Sequence, residues 1–271
     1  MIESPRNSRV KQIRRLAQKA ARNDSGRFLL EGPQGVGEAL RRRPELLEEL
    51  FATPTALERH AELAGLAFEA GIEVQFASEE AIEAMADTRA PQGVVAVCRQ
   101  FPASIRRVFE GSQTHRPRLV AILEEVRDPG NAGTIIRAAD AAGADAVVLT
   151  GRTVDLYNPK VVRATTGSIF HLPVAVAGDL ADAIGRARAA GMRVLAADLS
   201  GEHLPEVQAR GELAGPVAWV FGNEARGLPA DKAALADGAV RVPIYGGAES
   251  LNLATAAGVL LYASAFAQRR D

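Results

Sequence analysis

The sequence predicts an α/β protein, with a C-terminal, mainly parallel sheet covered by helices on both faces and a smaller N-terminal α/β domain. Three observations carry this expectation. Apolar strands alternate with helix-forming stretches along nearly the whole chain, as in layered α/β folds. In the C-terminal half the apolar runs are short and continuous, the pattern of strands buried on both faces. Near residues 100–117, the stretch FPASIRRVFEGSQTHRP loses periodicity and carries Pro102 and Pro117, which marks a linker. The expected domains are therefore 1–105 and 117–271, and 271 residues, 47% of them hydrophobic, suffice for two cores.

Taken in order, residues 10–21, VKQIRRLAQKAA, place Val10, Ile13, Leu16 and Ala17 at helical spacing, so the basic residues cover the other side. FLLEGPQGVGEALRR reads as strand, Gly/Pro turn and helix, and ELLEELFAT as a passage from helix to strand. A helix from Ala56 to Ala70 leads to the strand IEVQFAS, and GVVAVCRQF is the buried strand that closes the first domain. The second begins with the strand LVAILEEV and a helix running to about Ala142. AVVLT, PVAVAG, MRVLAADL, VAWVFG and AVRVPI follow as strands with helices between them. The last helix, LNLATAAGVLLYASAFAQRR, carries Ala256, Ala257 and Gly258, small residues that permit close packing either on its own sheet, the default, or on another subunit. Ligands of such sheets sit beyond the carboxyl ends of the strands.

Composition excludes several classes. Cys98 is the only cysteine, so there is no intrachain disulfide and no thiolate cluster. His60, His115, His171 and His203 have no ligand-like spacing, and no metal site is expected. No apolar run reaches the roughly 20 residues of a membrane helix, and the N-terminus lacks a secretory signal, so a cytoplasmic protein is expected. The net charge is −1, but the N-terminus is strongly basic: Arg6, Arg9, Lys11, Arg14, Arg15, Lys19, Arg22 and Arg27 face a single acid, Asp24. Such a stretch attracts phosphates, or is simply a solvated helix face; Arg14, Arg15 and Lys19 are the candidate RNA contacts.

Three loops carry candidate chemistry. In DPGNAGTIIR, residues 128–137, Pro129 and Gly130 stop a strand, Gly133 turns the backbone, and Asn131 serves as turn or N-cap residue. Arg137 is read in the first turn of the helix, where the macrodipole disfavours a cation by up to about 1 kcal/mol. Held there, it points to an external anion such as an RNA phosphate. In GNEARGLP, residues 222–229, Gly222 lets a ligand approach the strand end, and Glu224 is either a substrate contact or a charge near a helix N-terminus. In YGGAESLN, residues 245–252, Ser250 is a sufficient N-cap locally. The functional signal is the recurrence, since three strands each ending in such a loop can converge on one crevice. GPQGVG, residues 32–37, is not a dinucleotide fingerprint, and no P-loop or nucleophile elbow occurs.

At these residues the sequence resembles the SpoU/TrmH family of RNA 2′-O-ribose methyltransferases, within the SPOUT superfamily, over nearly the whole chain. Asn131, Gly133 and Arg137 match its first motif, Gly222, Glu224 and Gly227 its second, and Ser250, Leu251 and Asn252 its third. Ala254 departs from the Ser of many relatives. The resemblance implies S-adenosylmethionine as cofactor, a C-terminal trefoil knot in exception to the usual rule, and a homodimer formed through the catalytic domain. It places Leu199, Gly222, Val242, Ile244, Leu251 and Leu253 around the cofactor, with Asn131, Arg137, Glu224, Ser250 and Asn252 facing ribose and phosphate as the catalytic set. FLLEGPQGVGEAL with TRAPQGVVAV looks like the substrate-binding domain of rRNA-directed members, which makes ribosomal RNA, 23S above all, the expected substrate. A guanidinium with a pKa above about 12 is a poor base, so Arg137 is given phosphate anchoring and hydroxyl activation without a choice between them. The alternatives are a tRNA 2′-O-methyltransferase, an RNA-binding module of the same fold without catalysis, and a nicotinamide-dependent oxidoreductase, which lacks its glycine fingerprint here.

Overall fold

The computed structural model describes residues 1–110 and 116–269. Part of the expected linker, residues 111–115 with His115, lies outside them. The chain divides into two compact units, Met1–Phe101 with Asp155–His171, and Pro102–Val154 with Leu172–Asp271.

In the first unit β1 (Arg27–Glu31), β2 (Leu47–Ala52), β3 (Val74–Phe76) and β4 (Val94–Arg99) form a sheet in the order β1-β4-β2-β3. β4 runs antiparallel to β1 and β2, and β3 runs parallel to β2. One face packs Val95, Val97 and Phe51 against Val10, Ile13, Ile82 and Met85. The basic stretch expected as one helix over 10–21 is two, Ser8–Arg15 and Lys19–Ser25. Gln18 is extended, with φ −92° and ψ 133°, which ends the first helix and frees the carbonyls of Leu16 and Ala17. Arg22 Nη1 donates to both at 2.8 Å, and its guanidinium also pairs with Asp155. Arg22 is therefore a buried clamp, 2% exposed, and not one of the solvent-facing cations. The helix expected from Ala56 to Ala70 is also two, Pro54–Arg59 and Glu62–Glu69.

Residues 155–171 belong to this unit although strands of the other sheet flank them in sequence. The Tyr157 ring packs tilted against that of Phe28, with centroids 4.8 Å apart, and its hydroxyl accepts from the Phe101 amide at 2.6 Å. Arg163 donates to Glu31 and Asp87, both at 2.9 Å.

The second unit holds β5 (Leu119–Glu124), β6 (Ala146–Thr150), β7 (Val174–Val176), β8 (Arg193–His203), β9 (Val217–Phe221) and β10 (Gly238–Arg241). They form a six-stranded sheet in the order β10-β8-β9-β5-β6-β7, and every pairing is parallel, as the continuous apolar runs require. The expected linker is partly helical, at Ile105–Glu110. Ile105, Val108 and Phe109 have the spacing of one helix face, and Val108 and Phe109 are buried with Val120, Val148 and Leu180. The final helix, Leu253–Gln268, packs on β9 and on helix Pro129–Ala141. Trp219 Nε1 donates to Ser264 Oγ at 2.9 Å inside this core, where both residues are fully buried.

Candidate active site

The three motif loops follow β5, β9 and β10 and meet in the second unit. After β5, Glu125 adopts a left-handed backbone, φ 51°, and the chain turns at once into helix Pro129–Ala141. The loop expected over 128–137 is thus almost wholly helical. Asp128 is its N-cap, accepting from the Asn131 amide at 2.7 Å, and Pro129 occupies the first position, where a missing N–H costs nothing. Gly130 and Gly133 lie inside the helix, and Asn131 is not its cap. Arg137 lies eight residues after Pro129 and four before Ala141, so it does not stand at the unfavourable helix start expected for it. So near the C-terminus the macrodipole is no obstacle to a cation. The Arg137 side chain is exposed and has no hydrogen-bond or ion-pair partner among the described residues.

After β9 the chain closes a tight loop in which Asn223 and Gly227 exchange main-chain bonds of 3.1 and 2.8 Å. A Cβ at Gly222 would stand 2.5 Å from the Gly227 carbonyl carbon, so this glycine serves the closure of its own loop. Gly222 does not line either cavity described below. Glu224 reaches back to the start of the Pro129 helix: its carboxylate accepts from the amides of Asp128 at 3.0 Å and Arg127 at 3.2 Å. Asn131 Nδ2 approaches it at 3.5 Å, and Asn131 Oδ1 accepts from Asn252 Nδ2 at 3.0 Å. Asn252, and not Ser250, caps the final helix by accepting from the amides of Ala254 and Thr255. Glu224, Asn131 and Asn252 therefore form one polar chain that joins all three loops.

A cavity of about 380 Å³ opens beside this chain. Leu199, Val242, Ile244, Leu251 and Leu253 line it, together with Glu224 and the exposed Ser250. That volume falls in the range of roughly 300–1,000 Å³ for small-molecule sites, and aliphatic side chains beside the charged Asp198, Glu224, Arg226 and Arg241 suit an adenine ring with a charged tail. A second cavity of about 710 Å³ shares the wall Asn223–Gly227 with the first. Its floor is Glu124, which is buried, accepts from Thr150 Oγ1 at 2.6 Å and pairs with Lys232. That pairing raises the Lys232 ammonium above its ordinary pKa, through the hydrogen bond first and the Coulomb attraction of Glu124 and Glu125 after it. Sequence reasoning missed Asn223, whose Nδ2 donates to the Glu125 carbonyl at 3.0 Å, and the Glu124–Lys232 pair. The Asp-Pro start of the Pro129 helix was visible as a capping signal, but no local pattern joins Glu124 to Lys232, 108 residues apart. Among the described residues no group of His, Cys, Asp and Glu is arranged to hold a metal.

Known proteins resemble the chain over nearly its whole length. The model of the SpoU rRNA Methylase family matches residues 118–262, and that of the MRM3-like substrate binding domain matches residues 7–96. RlmP of Bacillus subtilis, a 23S rRNA (guanosine(2553)-2′-O)-methyltransferase, is 35% identical over 96% of this chain and 97% of its own. The 23S rRNA (uridine(2479)-2′-O)-methyltransferase of Streptomyces viridochromogenes is 32% identical over 95% and 89%. Among solved structures, the AdoMet-bound rRNA methyltransferase from Sinorhizobium meliloti superposes with a TM-score of 0.81 at 34% identity, covering 97% of this chain and 96% of that one.

Proposed function

The chain belongs to the SpoU rRNA methylase family, and from that premise we propose that it transfers a methyl group from S-adenosylmethionine to a ribose 2′-hydroxyl of 23S rRNA. The observation that carries this reading is the polar chain Glu224–Asn131–Asn252 beside the partly apolar 380 Å³ cavity. Leu199, Val242, Ile244, Leu251 and Leu253 would hold the cofactor, with Gly222 shaping the loop beside them. Bound there, S-adenosylmethionine supplies an electrophilic methyl group. The residues of this chain then have to fix the ribose and orient its hydroxyl, because alignment governs a direct displacement.

Glu224 supports Asn131, its carboxylate fixed by the amides of Arg127 and Asp128. Asn131 and Asn252 present amide groups to the ribose, and Ser250 a hydroxyl. Arg137 has no internal partner and takes phosphate or ribose oxygens in its planar fork. Residues 1–105 act as the RNA substrate-binding domain and 117–271 as the methyltransferase domain with its trefoil knot. Arg14, Arg15 and Lys19 are exposed on the first domain's two short basic helices, as RNA contacts need to be. The homodimer is supported by Val259, Tyr262 and Phe266, exposed on one side of the final helix. No helix among the described residues is long and apolar enough to cross a membrane, in keeping with work on cytoplasmic ribosomal RNA.

The test is transfer of labelled methyl from S-adenosylmethionine to purified 23S rRNA and to tRNA, with a chelator present. Incorporation into 23S rRNA alone is expected. Incorporation into tRNA alone would move the substrate, and cofactor binding without incorporation into either RNA would favour the module without catalysis.

A further inference from the structure

The 710 Å³ cavity, behind the loop that walls the cofactor cavity, carries charges that holding Glu224 in place does not require. Arg127, Arg152, Arg226 and Lys232 line it together with the carboxylates Glu124, Glu125 and Glu224. Two of these carboxylates are satisfied from within: Glu124 by Lys232 and Thr150, and Glu224 by the amides of Arg127 and Asp128. That leaves Glu125, which also lies 3.7 Å from the Lys232 ammonium, against three arginines. It pairs with Arg127 at 3.4 Å and with Arg226 at 3.3 Å, both longer than the roughly 2.7–2.9 Å of a well-formed charge-assisted bond. Both guanidiniums are mostly in solvent, with side chains 52% and 67% exposed. Arg152 is exposed and has no hydrogen-bond or ion-pair partner among the described residues. The cleft thus presents three cations that are held near one another and only loosely engaged.

We propose that this cleft binds the phosphodiester backbone of the RNA strand beside the nucleotide being methylated, with Arg127, Arg152 and Arg226 as the donors. The assignment rests on the reading of the chain as an RNA methyltransferase. Arg226 lines both cavities, so a strand whose ribose faces the cofactor cavity carries its neighbouring phosphates across the shared wall. A guanidinium matches phosphate oxygens in a planar fork, and Glu125 keeps two of the forks side by side until a phosphate takes its place.

The experiment uses the full chain, in vitro transcribed 23S rRNA and a KCl titration of binding. The double variant Arg127→Gln/Arg152→Gln, at two residues that line this cleft and not the cofactor cavity, should lower the salt slope by about 0.7 for each phosphate that is no longer neutralised. It should also raise Kd for the RNA about tenfold, the low end for removing hydrogen bonds to a charged group. Melting temperature and the Kd for S-adenosylmethionine should stay at wild-type values, and so should the slope of the control Arg106→Gln/Arg107→Gln, an equal change of charge on the exposed face of helix Ile105–Glu110. An unchanged slope and Kd in the double variant overturns the proposal. So does AMP that binds the wild type in the absence of RNA and not the double variant, because the cleft would then take a free phosphorylated ligand. A wild-type protein that methylates no RNA removes the functional reading itself, whereas methylation with an unaltered double variant removes only the cleft.

Discussion

Replacing Glu224 by Gln changes few atoms but should loosen the junction between two of the three motif loops. The carboxylate accepts the amides of Asp128 at 3.0 Å and Arg127 at 3.2 Å, and the Asn131 amide group approaches it at 3.5 Å. Glutamine offers one acceptor and one donor, so one main-chain N–H turns to water and the other is left without charge assistance. At this exposed position water makes up part of the difference, which leaves a cost of about 1 kcal/mol, the low end for hydrogen bonds to charged groups. For a chain of this size that lowers the melting temperature by about 2–4 °C. The effect on rate should be larger. Asn131 also holds Asn252, at 3.0 Å, so its displacement disturbs two of the groups proposed to face the ribose. A misplacement of order 1 Å costs about 100-fold in rate. Single-turnover methylation at saturating S-adenosylmethionine, alongside thermal melting, reads both quantities. Wild-type values in both would refute the reasoning, and weakened cofactor affinity would mean that Glu224 acts on the cofactor and not through Asn131.

Arg137→Ala should melt with the wild type, because the side chain has no internal partner, while methylation falls by about 100-fold or more, the scale of removing a positioned catalytic group. Lys at this position should rescue poorly, since an ammonium lacks the planar fork. Replacing Arg14, Arg15 and Lys19 by Gln should flatten the salt dependence of RNA binding by up to about one unit of slope per phosphate and leave cofactor binding intact; an unchanged slope returns those residues to an ordinary solvated face. Ser264→Ala leaves the buried Trp219 indole N–H without its acceptor and should cost about 1–3 kcal/mol in chemical denaturation, with no change in salt slope. Arg22→Met strands the Asp155 carboxylate and two carbonyls and should cost about 3–5 kcal/mol; a change within error would contradict the clamp at the helix break.

How much of this was legible in the sequence depended on the range of the interaction. The strands of the second unit were readable because burial on both faces writes itself as continuous apolar runs such as VAWVF and LVAIL. The motif residues Asn131, Glu224 and Asn252 were readable as polar groups on loops at strand ends, but not their linkage, which spans 93 residues in one bond and 121 in the other. Local pattern misled where a residue has two readings. Gly130 and Gly133 read as turn formers although the Asp-Pro pair before them had already begun a helix, and that error put Arg137 at a helix start. Pro102 drew attention away from the helical spacing of Ile105, Val108 and Phe109. The seat of residues 155–171 in the first unit, through Tyr157 and Arg163, has no local signature, because its partners Phe28, Glu31 and Asp87 lie far away in sequence.

The central claim is that the methyl group goes to a ribose oxygen of ribosomal RNA at the site built from Asn131, Glu224 and Asn252. The direct measurement is alkaline-hydrolysis mapping of 23S rRNA treated with S-adenosylmethionine and either the wild-type protein or Asn131→Ala. A methylated 2′-oxygen cannot attack the adjoining phosphodiester, so the account predicts one position that resists cleavage after wild-type treatment and is cleaved normally after treatment with the variant. Methyl incorporation that leaves every position cleavable would put the methyl on a base, and full protection by Asn131→Ala would place the chemistry elsewhere; either result contradicts the account.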